Sequence, residues 1–244
     1  MNERIHKVLA NAGHGSRREI EALIRDGKIT VNGKPAILGQ CIGEKDRVTI
    51  NSRAIRLHLH KKKNPKVLAY YKPAGEVCTR RDEKGRETVF RNLPPLRNSR
   101  WINIGRLDLN TMGLLLFTTD GDLANKLMHP SSQVEREYAV RILGDVTKKN
   151  LNALLDGVAL EDGVAKFTDI HDSGGKGANH WFHVVVMEGR NKEVRRLWES
   201  QGVQVTRLIR TRFGSYILPR KKRVGQHWRL DDKEIEALQK TITS

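Results

Sequence analysis

A single aspartate in a polar loop is the clearest candidate for chemistry in this chain. Asp108 lies within residues 104–113, directly before the apolar run Leu114–Phe117. Such a run predicts a fully buried strand, and loops beside buried strands are where rigid scaffolds present functional groups. Because Arg106 stands two residues away, a charged site is conceivable, although a lone loop aspartate is also compatible with a structural role.

Two further carboxylates, Asp120 and Asp122, lie close to Asp108 in the sequence. A pair of carboxylates could do the acid–base work of a glycosidase. The segment Asp120-Gly121-Asp122, however, has the composition of a turn and precedes a short helical pattern over residues 123–128. Capping of that helix is therefore the simpler interpretation of these two side chains.

The sequence carries no signature of a bound cofactor or metal. Gly174-Gly175-Lys176-Gly177 lacks the spacing of a phosphate loop or a dinucleotide turn, and we interpret it as a flexible surface loop. Nine His and two Cys form no zinc pattern. We therefore expect any activity to proceed without a cofactor and without a metal ion.

The charge of the chain is strongly positive and unevenly distributed. In 244 residues, 45 Lys and Arg face 28 Asp and Glu, which gives a net charge of +17. Residues 1–66 carry 15 basic and 6 acidic groups, and residues 188–229 carry 12 basic and 3 acidic groups, whereas residues 67–187 are nearly neutral. Two separate basic blocks favour a polyanion such as nucleic acid over a merely solvated lysine-rich surface.

Several protein classes are excluded at this stage. No apolar run approaches the roughly 18 residues of a membrane span, and the first residues lack the apolar core of a signal peptide. Cys41 and Cys78 are far apart and form no Cys-x-x-Cys pair. We therefore expect a protein of the reducing cytoplasm without a membrane segment.

The first basic block has the pattern of a small folded module. Ser16 and Glu19 are spaced as a capping box at the start of a second helix, and Gly27 is placed to end it. Asn32-Gly33 predicts a hairpin turn. The strands predicted around that turn are Lys28–Val31, Lys34–Leu38 and Arg47–Ile50.

Arg17 and Arg18 stand in the first turn of the second predicted helix. Cations oppose the helix dipole at that position, which costs a few tenths of a kcal/mol each. A phosphate docked at the helix start would reverse this effect, because the helix amides and both guanidinium groups would converge on it. An ordinary solvated pair is the alternative.

Residues 3–55 resemble the alpha-L, or ribosomal-protein-S-four-like, RNA-binding domain. The matching residues are Lys7–Ala10, Gly15–Arg18, Ile24, Gly27, Val31–Gly33 and Asp46–Ile50. The resemblance implies binding of structured RNA, with Lys7, Arg17 and Arg18 as contacts. We place this domain at residues 1–60, a basic linker at 61–66 and a second domain at 67–244.

The second domain resembles the pseudouridine synthases, and within them the RsuA branch. The motifs that carry the resemblance are Tyr71-Lys72-Pro73-x-Gly75, Gly105-Arg106-Leu107-Asp108-x-x-Thr111-x-Gly113-Leu114-Leu115, Thr118–Gly121 with His129-Pro130, Glu137-Tyr138, and Glu188–Leu197. The resemblance implies an α+β catalytic domain built on a mixed, mainly antiparallel β-sheet with flanking helices. It also implies isomerisation of uridine to pseudouridine in ribosomal RNA.

The resemblance assigns roles to three side chains. Asp108 is the catalytic carboxylate, which either attacks the anomeric carbon or removes a ribose proton and must be ionised in both cases. Arg195 matches the guanidinium that the family places beside this carboxylate, with a phosphate contact as its alternative. Tyr138 matches the ring that lies against the target uracil, with strand packing as its alternative.

The basic residues around the motifs are expected RNA contacts. Arg106 has a family role near the position that a flipped uridine vacates in the RNA. The remaining expected contacts in this domain are Arg80, Arg81, Arg190, Lys192, Arg196, Arg207 and Arg210. We expect a monomer acting on large-subunit ribosomal RNA near the peptidyl-transferase region.

The sequence bears differently on three alternatives. Small-subunit ribosomal RNA is a possible substrate, because relatives acting on it share most motifs. A non-catalytic ribosome assembly factor would be expected to lack one of Asp108, Tyr138 and Arg195. A tyrosyl-tRNA-synthetase-like enzyme would need a His-x-Gly-His signature, which is absent.

Overall fold

The structure is a computed structural model that describes residues 2–56, 65–97, 99–176 and 179–242. Most of the predicted linker, residues 61–64, lies outside the described ranges. The chain divides into two compact units: residues 1–65 with 94–102 and 119–121, and residues 66–93 with 103–118 and 122–244. Within the described residues, no helix is long and apolar enough to cross a membrane.

The elements of the N-terminal region are short. In chain order they are β1 (Glu3–Arg4), α1 (Ile5–Asn11), α2 (Arg17–Arg25), β2 (Ile29–Val31), β3 (Lys34–Pro35), β4 (Cys41–Ile42), β5 (Val48–Ile50) and β6 (Arg53–Ile55). Strands β3, β2, β5 and β6 form one antiparallel sheet, and β1 pairs with β4.

Local signals in the sequence set the ends of α2 and the hairpin after it. The Ser16 hydroxyl accepts a hydrogen bond from the Glu19 amide, and the Glu19 carboxylate accepts one from the Ser16 amide, so the capping box is confirmed. Gly27 has φ +66°, and both residues of Asn32-Gly33 have positive φ, as a tight hairpin turn requires. The buried core of this region is Ile5, Val8, Leu9, Ile20, Ile24, Ile29, Val31, Ala36, Ile42 and Val48.

The longer part of the chain begins with a six-residue strand. The elements are β7 (Val67–Lys72), β8 (Ile102–Ile104), β9 (Met112–Thr118), α3 (Gly121–Met128), β10 (Arg136–Leu143), α4 (Lys148–Asp156), β11 (Val158–Leu160), β12 (Gly163–Ala165), β13 (Asp169–Lys176), β14 (Asn179–Val186), α5 (Glu193–Glu199), β15 (Gln204–Phe213), β16 (Tyr216–Ile217), β17 (His227–Arg229) and α6 (Asp232–Lys240).

These strands build one large mixed sheet in the order β13-β14-β10-β15-β9-β7-β17. Strands β9 and β15 are parallel, and the other neighbours along this path are antiparallel. The predicted α+β class and the mainly antiparallel sheet are therefore confirmed. Leu114–Phe117 are fully buried within β9, which explains their continuous apolar character.

One row of paired residues crosses the middle of the sheet. Lys72 pairs with Gly113, Gly113 with Arg210, and Arg210 with Tyr138. Paired residues on neighbouring strands point to the same face of a sheet. The row therefore defines one face, and we call it the Tyr138 face.

Gly113 allows two strands of this row to approach closely. Its φ is +109°, and a Cβ atom would lie 2.3 Å from the Arg210 carbonyl oxygen and 2.5 Å from the Arg210 amide nitrogen. Only glycine fits there, because every other residue would force the backbones of β9 and β15 apart. The glycine of the central motif is thus a requirement of strand packing.

Two local predictions were wrong. The return strand predicted over Lys34–Leu38 ends at Pro35. Residues 174–176 of the predicted flexible loop lie in strand β13, where Gly175 pairs with His180 beside a register shift, and Gly177 lies outside the described residues. A Cβ atom on Gly175 would lie 2.1 Å from the Asn179 carbonyl oxygen, so this glycine also serves close strand packing.

Candidate active site

The candidate catalytic aspartate lies in a turn that runs from β8 to β9. Gly105 opens this segment with φ +75°, and the Thr111 amide donates to the Asp108 carbonyl at 3.0 Å. The Asp108 side chain is partly exposed, and within the described ranges its carboxylate takes part in no hydrogen bond or ion pair. A carboxylate that is positioned but uncommitted is available to a substrate.

A fully buried lysine holds this turn from below. The Lys72 ammonium donates to four backbone carbonyls: Pro73 at 2.8 Å, Thr111 at 2.9 Å, Asp108 at 3.2 Å and Leu109 at 3.4 Å. Burial lowers the pKa of Lys72, and the negative charge of Asp108 is one of the influences that oppose this shift. Lys72 therefore fixes the backbone around Asp108 and places a cation beneath it.

Two further contacts fix the same turn. The Gly75 amide donates to the Leu109 carbonyl at 2.8 Å. The Cys78 thiol donates to the Leu107 carbonyl at 3.3 Å and accepts from the Leu107 amide at 3.4 Å, and burial raises the pKa of this thiol. The segment after β7 thus supports the Asp108 turn on both sides of the aspartate.

Arg195 reaches the Asp108 turn from helix α5. Its guanidinium donates from Nη2 to the Asn110 carbonyl at 3.3 Å and from Nη1 to the Val205 carbonyl at 2.9 Å. Among the described residues, the guanidinium of Arg195 donates hydrogen bonds to these two carbonyls and forms no ion pair with the Asp108 carboxylate. In this structure Arg195 therefore holds the turn two residues away from Asp108 and brings a positive charge to it.

Tyr138 lies on the same sheet face as Lys72 and is 9% exposed. Helix α5 packs against this face as well, since the Trp198 ring lies 5.0 Å from the ring of Phe182, and Phe182 pairs with Val140 two residues beyond Tyr138. One face of the sheet therefore carries Tyr138, the supporting lysine and the helix that supplies Arg195. Two of these three groups, Lys72 and Arg195, directly contact the turn that carries the partly exposed Asp108 carboxylate.

The family comparison agrees with this geometry. Residues 66–200 match the RNA pseudouridylate synthase family, and residues 3–51 match the S4 domain. The chain belongs to the RNA pseudouridylate synthase family. The first match contains the Asp108 turn together with Lys72 and Arg195, and the predicted enzyme class is therefore confirmed.

Several curated relatives of this pseudouridylate synthase share most of its length. Ribosomal large subunit pseudouridine synthase B of Vibrio cholerae serotype O1 is 55% identical over 99% of this chain and 76% of its own length. The protein of the same name from Pseudomonas aeruginosa is 54% identical over 99% of this chain, which spans only 63% of that relative. A solved pseudouridylate synthase structure covers 96% of this chain with a TM-score of 0.66 and 23% identity, and shows the same fold.

The side chains of the expected RNA contacts differ in their exposure to solvent. Seven of them are exposed: Arg17, Arg18, Arg80, Arg81, Arg106, Lys192 and Arg207. Arg80 lies with its guanidinium 4.3 Å above the Phe90 ring. Lys192 has φ +50°, an unusual backbone conformation for a side-chain-bearing residue, at the start of α5. Exposure is compatible with phosphate binding at each of these positions.

Three other expected contacts are partly committed to carboxylates. Arg196 forms a bidentate ion pair with Asp162, with N–O distances of 2.7 and 2.8 Å. Arg190 forms an ion pair with Glu188, and its guanidinium lies 3.8 Å from the Asp162 carboxylate. Lys7 lies 3.3 Å from a Glu3 carboxylate oxygen. Contacts of these cations with phosphate would compete with the ion pairs.

The prediction that Arg210 contacts RNA does not fit the structure. Arg210 is 1% exposed, its Nε donates to the Leu114 carbonyl at 2.7 Å, and its guanidinium packs 5.3 Å from the Phe213 ring. Its position in the row beside Tyr138 directs the side chain into the protein. Arg210 is therefore part of the support beneath the site.

Sequence reasoning missed Lys72 as a support of the site, and it also missed the contacts of Glu137. In the sequence, Lys72 was noted only as a member of a motif. The feature that could have pointed to its role is its position as a lysine at the end of the apolar strand β7. Glu137 was noted only beside Tyr138, yet its carboxylate accepts from His183 at 2.8 Å and from Arg212 at 3.0 Å. Burial acts to raise the pKa of Glu137, but these two hydrogen bonds outweigh it and lower the pKa.

A cleft of about 380 Å³ lies on the other face of the sheet. It is lined by Glu137, Asp169, His171, Ser173, His183, Val185 and Arg212. Because Glu137 precedes Tyr138 in the same strand, the two side chains point to opposite faces. The cleft is therefore separate from the candidate active site.

Proposed function

We propose that this pseudouridylate synthase isomerises a specific uridine of large-subunit ribosomal RNA to pseudouridine. The observation that carries the proposal is the free carboxylate of Asp108 on a turn that Lys72 holds at three backbone carbonyls. Support for the substrate comes from the curated relatives, which are named for the large ribosomal subunit.

In the proposed reaction the target uridine leaves its RNA stack and enters the space above the Tyr138 face. The bond between the base and the ribose breaks at nitrogen, the uracil turns, and the bond re-forms at a ring carbon. That carbon then releases its proton and the freed nitrogen gains one, so that the product is an isomer and nothing is oxidised. Asp108 acts either on the anomeric carbon or on a ribose proton. The positive charges of Lys72 and Arg195 lie close to the turn that carries this carboxylate.

Tyr138 would support the detached uracil while it turns. A flat aromatic face stabilises an unstacked base by about 1–3 kcal/mol and does not require one fixed orientation of the base. Arg106, which is exposed two residues from Asp108, would contact the RNA at the position that the uridine vacates. In this proposal the protein acts as a cytoplasmic monomer and needs no cofactor.

Chemical mapping of pseudouridine tests the proposal directly. In ribosomal RNA from cells that lack this protein, one large-subunit position is expected to lose its pseudouridine signal, and the purified protein should restore it in vitro. Loss of a small-subunit position instead would reassign the substrate. Unchanged maps of both subunits would favour a non-catalytic assembly factor and reject the proposal.

The N-terminal module should contribute phosphate contacts through Arg17 and Arg18. Both are exposed at the start of α2, where helix amides and guanidinium groups can bind the same phosphate. The double variant Arg17→Gln with Arg18→Gln should bind large-subunit ribosomal RNA more weakly. The slope of log Kd against log salt concentration should fall by about one to two units.

The matched control removes two cations from the other end of the same helix. Arg25 lies in the last turn of α2 near Glu21, and Lys28 pairs with Asp26 at 3.0 Å. The variant Arg25→Gln with Lys28→Gln should leave the salt slope close to that of the unaltered protein. Equal slopes for both double variants would contradict a phosphate site at the helix start.

A further inference from the structure

A compact basic loop follows the last long strand of the sheet. Residues 219–226, which we call the basic loop, include the run Arg220-Lys221-Lys222-Arg223. Arg220, Lys221 and Arg223 are exposed, and within the described residues their side chains form no ion pair. By contrast, Arg190, Arg196 and Arg212 of the same basic block all pair with carboxylates. The loop therefore carries three exposed cations, none of them paired with a carboxylate among the described residues, within four consecutive residues.

The basic loop is closed by hydrogen bonds. The Lys222 amide donates to the Pro219 carbonyl at 3.0 Å, and the Gln226 amide donates to the Arg223 carbonyl at 3.0 Å. The Gln226 side chain also accepts from the Arg223 amide at 3.1 Å. A loop that is already ordered loses little conformational entropy when it binds a ligand.

An aromatic platform supports the loop. The Lys222 ammonium lies 4.8 Å from the centre of the Trp228 ring, and the Trp228 indole donates to the Tyr216 hydroxyl at 2.7 Å. Tyr216 is buried, so it anchors the indole to the body of the domain. One lysine of the run is thus used to hold the loop, and the three other cations point outward.

The backbone connects the basic loop to the candidate active site. The Gly225 amide donates to the Tyr71 carbonyl at 2.8 Å, and the Tyr71 amide donates to the Gln226 carbonyl at 2.9 Å. The next residue is Lys72, which holds the Asp108 turn. The basic loop and the Asp108 turn are therefore attached to consecutive residues at the same end of β7.

We propose that the basic loop is a second RNA contact, which binds backbone phosphates of the strand that enters the active site. The inference rests on the proposed function for its partner, RNA, and goes beyond it by naming a surface outside the catalytic motifs. Three free cations beside the site match the charge of two or three consecutive phosphates. Such contacts position the RNA without reading its sequence.

The test removes the three outward charges and leaves Lys222 in place. We expect the variant Arg220→Gln, Lys221→Gln and Arg223→Gln to bind transcribed large-subunit ribosomal RNA about tenfold more weakly at about 0.15 M salt. The slope of log Kd against log salt concentration should fall by about two units. The charge-conserving variant Arg220→Lys with Arg223→Lys should keep the original slope.

A matched control removes three cations near the opposite edge of the sheet. Lys148, Lys149 and Lys166 are exposed, and helix α4, which carries the first two, packs near β13, whereas the basic loop precedes β17. Their triple replacement by Gln should leave the slope unchanged. Equal losses of RNA affinity and salt slope in the two triple variants would overturn the proposal, because positive charge anywhere on the surface would then contribute equally to binding.

The binding assay is independent of catalysis. If pseudouridine mapping fails but the loop variant still loses affinity and slope, only the proposed function fails. An unchanged affinity and slope in the loop variant would overturn the RNA contact itself. Loop-dependent sedimentation with phosphatidylglycerol vesicles, together with an unchanged RNA slope, would also overturn it and assign the loop to a membrane surface.

Discussion

Replacement of Asp108 by Asn should abolish pseudouridine formation while the protein still binds ribosomal RNA. The amide keeps the shape of the side chain but can neither attack a carbon nor accept a proton effectively. The Asp108 turn is held through the backbone by Lys72 and Arg195, so the substitution should leave its conformation intact. We expect single-turnover activity to fall by at least about 10³-fold.

The control for this experiment is Asp145→Asn. Asp145 is an exposed carboxylate in the turn before α4, so its replacement removes the same charge away from the Asp108 turn. This control should keep full activity, and both variants should bind RNA within a few-fold of the unaltered protein. Full turnover by Asp108→Asn would disprove the catalytic assignment.

Replacement of Lys72 by Met should have the second largest effect. Methionine fills a similar volume, but the Pro73 and Thr111 carbonyls would lose the donor that the structure assigns to them. Each buried acceptor left without a partner costs about 1–3 kcal/mol, so we expect the free energy of unfolding to fall by about 2–6 kcal/mol. The Asp108 turn would also lose its support and the cation beneath it.

Kinetics separate this positioning role from a loss of stability. Measured well below the melting temperature, kcat of Lys72→Met should fall by about 10²-fold or more, while KM changes much less. Lys126→Met, which removes an exposed lysine of α3, should change neither quantity. A Lys72→Met protein that is folded and retains full kcat would refute the positioning role.

The elements of the N-terminal region were predictable because their signals are local. Ser16 and Glu19 are three residues apart, and the helix start that they predict depends only on backbone groups within the same turn. Asn32-Gly33 similarly fixes its own turn type. The predicted strand after that turn was too long, because its pairing depends on a partner strand and not on the turn.

The supports of the active site could not be predicted in the same way. Lys72 contacts residues 36 to 39 positions later in the sequence, and no local pattern reports such a contact. Its place at the end of an apolar strand predicts burial of the strand but gives no partner for the ammonium. The position of Asp108 was predictable, whereas the way in which it is held was not.

A β-bulge separates the positions of Arg210 and Arg212. Simple alternation along β15 predicts that Arg210 and Arg212 point to the same side. The register with β10 shifts between Glu137 and Tyr138, so Arg212 pairs with Glu137 while Arg210 pairs with Tyr138, and Thr211 is the extra residue. The two arginines therefore lie on opposite faces, one buried beneath the site and one beside the outer cleft.

The hydrogen bonds from Lys72 to the Asp108 turn join residues that are far apart in the sequence, and they therefore also determine when the active site forms during folding. Closing a chain segment of some 36 residues has an entropy cost that the pairing of β7 with β9 helps to offset. Formation of the turn and of the active site is therefore one cooperative event. Any local opening that separates β7 from β9 should inactivate the enzyme before the remaining strands exchange their amide hydrogens.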